Sequence, residues 1–275
     1  MDDTPRYTVR VVAERVGVPT ATLRSWSQRY GVGPPQHIPG RHRLYSDIDV
    51  AVVHHMCELI AGGSRPRSAA RLAIESMTPP RGDAGSVVTA ATSLDPAALG
   101  RTLEAHLRHF GVVDTWDLLV RPAFSAVVEL QERSGGCIEV EHMLSWTVAR
   151  ALQRVQLAPA GAPISAVLAC TADETHVLGL EALRAALGER GYGALMLGAR
   201  VPVTALLDAL DRVAHPATVV LWSQTAATAD ADAVRAVAAR TEVLLAGSGW
   251  DSVESGGAGE RVTTLGAALD RWPAR

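Results

Sequence analysis

The chain has 275 residues, of which 48% are hydrophobic and 20% charged, and its formal net charge is −3. This composition excludes a disordered or fibrous protein, and no apolar run approaches the roughly 18 residues of a membrane span. The N-terminus lacks a basic-then-apolar signal, and three widely spaced cysteines are typical of a reducing compartment. We therefore expect a cytoplasmic protein with no membrane partner.

Charge is distributed unevenly along the chain. Residues 1–81 hold 11 Arg and 7 acidic residues, a balance of +4, whereas the remainder holds 15 Arg and 22 acidic residues, a balance of −7. A basic end on an acidic body is the arrangement expected when that end contacts nucleic acid. Two stretches rich in Pro and Gly, 77–85 and 158–163, break helix and strand alike. They predict three domains, over 1–78, 84–158 and 163–275.

The first domain reads as short helices with a basic hairpin, the pattern of a winged helix-turn-helix. The predicted elements are helices over Val9–Val16 and Ala21–Tyr30, a strand over Arg41–Tyr45, a helix from the cap Ser46 to about Ile60 and a helix over Arg67–Ser76. The second helix and the hairpin carry hydroxyl, amide and basic side chains suited to base edges and phosphates. The DNA-binding residues predicted from this pattern are Thr20, Thr22, Arg24, Ser25, Gln28, Arg29, Arg41, His42 and Arg43. On charge alone, a helical module with merely solvated arginines remains the alternative.

The other two domains differ in their hydrophobic period. The middle one has helical spacing and predicts a bundle, with helices near 95–109, 112–132 and 139–157. The last alternates short apolar strands with helices, which predicts a flavodoxin-like, doubly wound parallel sheet. Its predicted strands are Ser165–Cys170, Ala194–Leu197, Thr218–Trp222 and Glu242–Ala246, and its predicted helices are 178–190, 202–214 and 228–239. The fold class is thus multidomain, α and α/β.

A histidine follows the first strand of this sheet, where such folds place their ligands. His176 could offer one ring nitrogen to a metal while Glu174 or Asp173 orients the other, and Gly179 would leave room for a large planar ligand. A single loop histidine is, however, more often a solvated or core residue.

Residues 7–76 resemble the MerR family. The match lies in Gly17-Val18-Pro19-Thr20-Ala21-Thr22-Leu23-Arg24 and in Gly40-Arg41-His42-Arg43-Leu44-Tyr45-Ser46. The run from Leu23 to Gly31 is similar to the light- and cobalamin-linked branch of that family. The resemblance implies a regulator that binds double-stranded promoter DNA as a homodimer or homotetramer, with Trp26 in the core and Tyr30 facing phosphate.

The last domain resembles the cobalamin-binding domain, whose pattern is acid-x-His-x-x-Gly, a later Ser-x-Leu and a later Gly-Gly. The matching residues are Glu174, His176 and Gly179, then Ser223 with Thr225 at the apolar position, then Gly247 and Gly249. The resemblance implies cobalamin as cofactor, as adenosylcobalamin or methylcobalamin. It makes His176 the lower cobalt ligand in place of the dimethylbenzimidazole base. Ser223 and the glycines would line the slot for that base.

The middle domain resembles the helical cap of the CarH/LitR regulators, on the strength of Glu141-His142. Those regulators carry a Trp-His pair ten residues earlier; the Trp covers the upper ligand, and the His binds cobalt after light breaks the cobalt–carbon bond. This chain has Gln131 and Glu132 there. In one interpretation cobalamin binds through His176 with a different upper ligand or without the usual photochemistry. In the other the corrin site is a remnant, and the domain mediates dimerisation or binds a regulatory protein partner.

These patterns predict a transcriptional regulator that is not an enzyme. Its oligomeric state and operator binding would respond to cobalamin held between bundle and sheet, with a light link implied by the resemblance and opposed by Gln131 and Glu132. A cobalamin-dependent mutase or methyltransferase would need a substrate domain, and the chain has no P-loop, G-x-S-x-G or zinc signature.

Overall fold

The computed structural model describes residues 7–34, 44–77, 79–155 and 158–274. The chain separates into two compact units, Met1–Pro79 and Pro80–Arg275, so the predicted boundary after residue 78 lies at their junction. Within the described ranges, no helix has both the length and the apolar character needed to cross a bilayer.

The first unit consists of short helices beside a two-stranded sheet. Its elements are β1 (Tyr7–Thr8), α1 (Val9–Val16), α2 (Thr20–Tyr30), β2 (Leu44–Tyr45), α3 (Asp47–Ala61) and α4 (Pro66–Met77). Strands β1 and β2 pair antiparallel. Gly17 ends α1 in the left-handed conformation, at φ 70°, and thereby turns the chain toward α2. At the start of α3, Ser46 and Asp49 form a reciprocal capping box.

The second unit begins with a helical bundle. Its helices are α5 (Ala84–Thr92), α6 (Pro96–Thr115), α7 (Arg121–Ser134) and α8 (Ile138–Gln153). The three predicted helices correspond to α6, α7 and α8. Helix α5 was not predicted, because it begins inside the stretch rich in Pro and Gly that ends at residue 85. Asp83 caps α5 by accepting a hydrogen bond from the Ser86 amide.

Helix α6 is interrupted at Gly111, which has φ 76° and ψ −178°. The interruption frees the amide of Val112, which donates to both carboxylate oxygens of Glu189, at 3.1 and 3.2 Å. A π-helical turn, Trp116–Val120, then leads into α7. The predicted gap between helices ending at 109 and starting at 112 therefore coincides with a real break in helical geometry.

A five-stranded parallel sheet follows, in the order β4-β3-β5-β6-β7, as in flavodoxin-like folds. Its elements are β3 (Ile164–Cys170), α9 (Leu178–Glu189), β4 (Gly193–Gly198), α10 (Val203–Leu210), β5 (Thr218–Trp222), α11 (Ala231–Ala238), β6 (Val243–Ala246), β7 (Glu260–Val262) and α12 (Leu265–Leu269). The four predicted strands are present, but the prediction missed β7 and α12. Strand β7 is three residues long at the sheet edge, and its Glu-Arg-Val sequence carries no hydrophobic alternation.

Bundle and sheet share one hydrophobic core. Helix α9 contacts β3 and β4 on one side and α6 and α8 on the other. One cluster of buried residues accordingly runs from the bundle through α9 to the near face of the sheet, while a second cluster lies on the far face against α10 and α11. The predicted boundary at 158–163 therefore falls inside one compact unit.

Candidate functional site

The predicted ligand residues converge at the carboxyl ends of β3, β5 and β6. These strands are neighbours, and their ends are tied together by backbone hydrogen bonds from Thr171 to Trp222, at 3.1 Å, and from Ser223 to Ala246, at 3.0 Å. The loops that leave them carry Glu174, His176, Ser223, Gly247 and Gly249, the last two preceding or lying in a 3₁₀ turn, Ser248–Asp251.

Glu174 holds His176 in place. Glu174 Oε1 lies 2.6 Å from His176 Nδ1 and accepts from the backbone amides of Thr175 and His176, both at 2.8 Å. Its second oxygen, Oε2, accepts from the amide of Gln224 at 2.6 Å and from the hydroxyl of Thr228 at 2.7 Å. Both carboxylate oxygens are thus fully used, which fixes the orientation of the histidine ring.

These hydrogen bonds also keep Glu174 ionised. Burial, which leaves only 1% of its side chain exposed, would raise its pKa. The backbone amides of His176 and Gln224, the Thr228 hydroxyl and the His176 ring outweigh burial and lower the pKa to about 2. Since an ionised carboxylate can only accept, His176 Nδ1 is the donor in this pair, and Nε2 is the ring nitrogen left to face a ligand.

The free side of His176 faces solvent. Its side chain is 63% exposed, and no hydrogen bond to Nε2 occurs in the described part of the chain. Nor do the described residues form a group of three His, Cys, Asp or Glu side chains that could hold a metal ion by themselves. A single oriented imidazole fits a metal whose remaining positions are filled by a macrocycle, as in haem proteins with one protein ligand.

Ser223, Gly247 and Gly249 bring two loops into direct contact. Ser223 is fully buried, and its hydroxyl donates to the carbonyl of Thr225 at 2.9 Å and lies 2.7 Å from the Thr228 hydroxyl. A Cβ on Gly247 would lie 2.1 Å from the Ser223 carbonyl oxygen, and one on Gly249 would lie 2.4 Å from that of Thr225. Only glycine fits either position.

The space beside Gly179 is filled by the indole of Trp222. A Cβ on Gly179 would lie 2.3 Å from Trp222 Cη2 and 2.4 Å from Cζ3. The room that Gly179 was expected to leave for a planar ligand is therefore taken by a planar side chain. We call the region bounded by Gly179, Ser223, Gly247 and Gly249 the base slot. The orientation and exposure of His176 fit a corrinoid ligand, whereas the indole of Trp222 fills the base slot.

In the bundle, Glu141 lies in the first turn of α8 and bonds to Gln131. Gln131 Nε2 donates to Glu141 Oε2 at 2.8 Å, while Glu132 and His142 are exposed. No hydrogen bond or ion pair of the described ranges joins Glu141 or His142 to the Glu174 loop. The residues predicted to hold the cofactor thus lie on both the bundle and the sheet, with no hydrogen bond or ion pair between the two groups in the described part of the chain.

Helix α2 presents a polar surface in the first unit. Arg24 and Arg29 are exposed, Thr20 and Thr22 are partly buried, and Leu23 anchors the helix in the core. Trp26 and Tyr30 pack against that core, so Tyr30, expected to face phosphate, is partly covered by protein. The predicted hairpin residues Arg41, His42 and Arg43 lie outside the described residues.

Three residues of the sheet-edge site were not predicted in these roles. The sequence indicated Trp222 only as the end of a strand, and the Gln224 amide and Thr228 hydroxyl bind Glu174 from some fifty positions away. Thr228 is an isolated threonine in a loop and carries no sequence signal. A tryptophan directly before the motif serine is visible in the sequence, but its partner Gly179 becomes apparent only in three dimensions.

Comparison with known proteins identifies the family to which the chain belongs. The sequence model of the MerR HTH family regulatory proteins matches residues 7–73. The HTH-type transcriptional repressor CarH of Myxococcus xanthus is 30% identical over 214 residues, which cover 71% of this chain and 72% of the relative. The chain belongs to the MerR family of regulators. A second relative, the HTH-type transcriptional repressor CarA of Myxococcus xanthus, is 29% identical over 218 residues, covering 74% of this chain and 72% of the relative.

A solved structure shares its fold with about two thirds of this chain. The monomethylamine corrinoid protein of Methanosarcina barkeri superposes with a TM-score of 0.52 at 12% identity, over 67% of this chain and 94% of its own. At such low identity the likeness concerns the fold alone. The prediction of a MerR-family regulator that carries a domain of the cobalamin-binding fold is confirmed.

Proposed function

We propose that this MerR-family regulator binds a cobalamin-type corrinoid through His176, and that the bound corrinoid controls its oligomeric state and hence its binding to operator DNA. The observation that carries the proposal is the His176–Glu174 pair, with Nδ1 held at 2.6 Å by a buried carboxylate and Nε2 open to solvent. A histidine that binds a metal through one ring nitrogen commonly donates a hydrogen bond from the other ring nitrogen to a carboxylate, as His176 does to Glu174.

The residues assigned to the cofactor lie on both layers of the second unit. His176 would be the cobalt ligand and Glu174 its support, while Glu141 and His142 of α8 would face the corrinoid from the bundle. Bound corrinoid would supply a cobalt ion with one further, exchangeable ligand position. Helix α9, which starts beside the site and packs against α6 and α8, is the element through which a change at the sheet edge would reach the bundle.

Regulation would act through the number of DNA-binding units that are presented together. Each α2 helix would bind one half-site of a two-fold operator weakly, and two helices held in one oligomer would bind the whole operator far more tightly. Formation or loss of the homodimer or homotetramer would therefore set how much of the operator is occupied. As in the relatives named repressors, the regulated step would be binding to promoter DNA. A second cobalt ligand from position 132 is not part of this proposal, because Glu132 offers a carboxylate there and Gln131 is already bonded to Glu141.

The test is a visible absorption spectrum of the full chain. Protein would be incubated in the dark with hydroxo-, methyl- or adenosylcobalamin, desalted, and measured before and after green light. We expect corrinoid to be retained by the wild type and to be lost from His176→Ala. It should also be retained by His215→Ala, which removes an exposed histidine from the loop that enters β5, at the opposite end of that strand from Ser223. Sedimentation velocity with and without the retained corrinoid would then report the oligomeric state.

Equal retention by the wild type and His176→Ala would remove His176 as the ligand, and a colourless wild type would contradict cobalamin binding altogether. The second outcome would favour a cofactor-free MerR-type regulator whose second unit mediates dimerisation or binds a protein partner. The observation on which that alternative depends is the closed base slot.

A further inference from the structure

We propose that Trp222 selects among corrinoids: its indole occupies the base slot, so corrinoids that lack the lower nucleotide bind more tightly than intact cobalamin. This inference rests on the proposed function, because it presumes a corrinoid on His176. It differs from the arrangement implied by the family resemblance, in which the slot receives the dimethylbenzimidazole base.

The position of the indole is defined from two sides. Its six-membered ring lies over Gly179 at the start of α9, where a Cβ would be 2.3, 2.4 and 2.9 Å from Cη2, Cζ3 and Cζ2. Its Cε2 atom would be 3.2 Å from a Cβ on Gly247 at the end of β6. Trp222 thus spans the slot from one glycine to the other, and two ring systems cannot share that volume in a close-packed interior.

The hydroxyl of Ser223, which would contact the nucleotide base, already has hydrogen-bond partners within the protein. Ser223 is fully buried, and its hydroxyl interacts with the Thr225 carbonyl and the Thr228 hydroxyl. Thr228 in turn donates to Glu174, so the serine belongs to the network that orients His176. A base entering the slot would have to displace the indole and compete for this hydroxyl at the same time.

Shape, and not hydrogen bonding, holds the indole in the slot. Trp222 packs against the core cluster shared by α9, α12 and the bundle. Its Nε1 atom is buried and has no hydrogen-bond partner in the described part of the chain. Displacing the ring would therefore sacrifice packing without breaking a hydrogen bond. That loss of packing penalises a corrinoid that must insert its nucleotide and spares one that has none.

The experiment compares the affinities of two corrinoids for the full-length protein. Diaquacobinamide, which has no lower nucleotide, and hydroxocobalamin would be titrated in the dark into the wild type, Trp222→Phe and Trp222→Val and followed by visible absorption. We expect the wild type to bind cobinamide at least tenfold more tightly than cobalamin. Trp222→Val should remove or reverse that preference by tightening cobalamin binding, and Trp222→Phe should lie between them.

Trp272→Phe is the matched control. Trp272 is buried in the core cluster against which Trp222 packs, but its carbonyl accepts a hydrogen bond from Arg190, at the end of α9 opposite to Gly179. The corrinoid preference of this variant should equal that of the wild type. Thermal unfolding of each variant checks that the sheet remains folded. A wild type that binds both corrinoids equally, or a preference that Trp222→Val leaves unchanged, overturns the role of Trp222 while the proposed function stands. Binding of neither corrinoid to any variant overturns both proposals.

Discussion

At the scale of single residues, the site depends on a buried carboxylate that remains charged. Glu174 was predictable as a partner of His176 because only one residue separates them, as in the acid-x-His pattern. Two further partners, the Gln224 amide and the Thr228 hydroxyl, come from the loop after β5. They were not predictable, since nothing in a single sequence indicates which loop of a sheet edge folds over another.

The lowered pKa of Glu174 predicts a dependence of stability on pH. Its folded value, about 2, lies below the usual 4.5, so the stabilisation is fully present above pH 4.5 and is lost as the pH falls from there toward 2. It amounts to about 3 kcal/mol at neutral pH, at roughly 1.4 kcal/mol per pKa unit. Glu174→Gln should therefore be less stable than the wild type at pH 7, and the gap should narrow as the pH is lowered.

Urea unfolding at pH values from 7 to 3.5 measures the difference in free energy of unfolding between the wild type and Glu174→Gln. Glu132→Gln, which replaces an exposed carboxylate of α7, serves as the matched control and should follow the wild type throughout. Parallel stability curves for Glu174→Gln and the wild type would show that Glu174 does not titrate as its hydrogen bonds imply.

At the scale of elements, hydrophobic period and glycine placement predicted most of the architecture. The boundaries of α1 and the strand β5 agree residue for residue with the prediction. The break before residue 112 was also predicted. Glu189, which accepts the hydrogen bond from the freed amide of Val112, lies 77 residues away and was not. Helix α5, strand β7 and helix α12 were missed because short elements of small or charged residues depend on their neighbours more than on their own pattern.

The break in α6 makes a prediction about two glycines of the same helix. At Gly111 the backbone has φ 76° and ψ −178°, a region that other residues hardly populate, so Gly111→Ala should lower the free energy of unfolding by about 1–3 kcal/mol. Gly100 lies in a regular part of α6, where an added Cβ would meet nothing closer than a methyl carbon of Thr147 at 4.0 Å. Gly100→Ala should therefore raise stability by about 0.5–1 kcal/mol. Chemical denaturation of both variants tests the contrast; destabilisation of equal size would refute it.

At the scale of the whole molecule, the proposed function requires a DNA-reading surface on one unit and a ligand site on the other. We expect Arg24→Ala to weaken binding to the protein's own promoter DNA by about 1–3 kcal/mol, if the arginine contacts a base from the exposed face of α2. Arg71→Ala, which removes an exposed arginine paired with Glu75 on α4, is the control and should change affinity little. Fluorescence anisotropy on labelled promoter fragments gives both values, and unchanged affinity in Arg24→Ala would remove that residue from the reading surface.

The core that bundle and sheet share has a calorimetric consequence. Helix α9 contributes buried side chains to a cluster that extends into both layers, so neither layer can melt without exposing the apolar surface of the other. The first unit has a separate core. Heating should therefore produce two cooperative heat-absorption peaks and not three, with the larger peak covering bundle and sheet together. A corrinoid bound to the second unit would shift the larger peak to higher temperature and leave the smaller one in place.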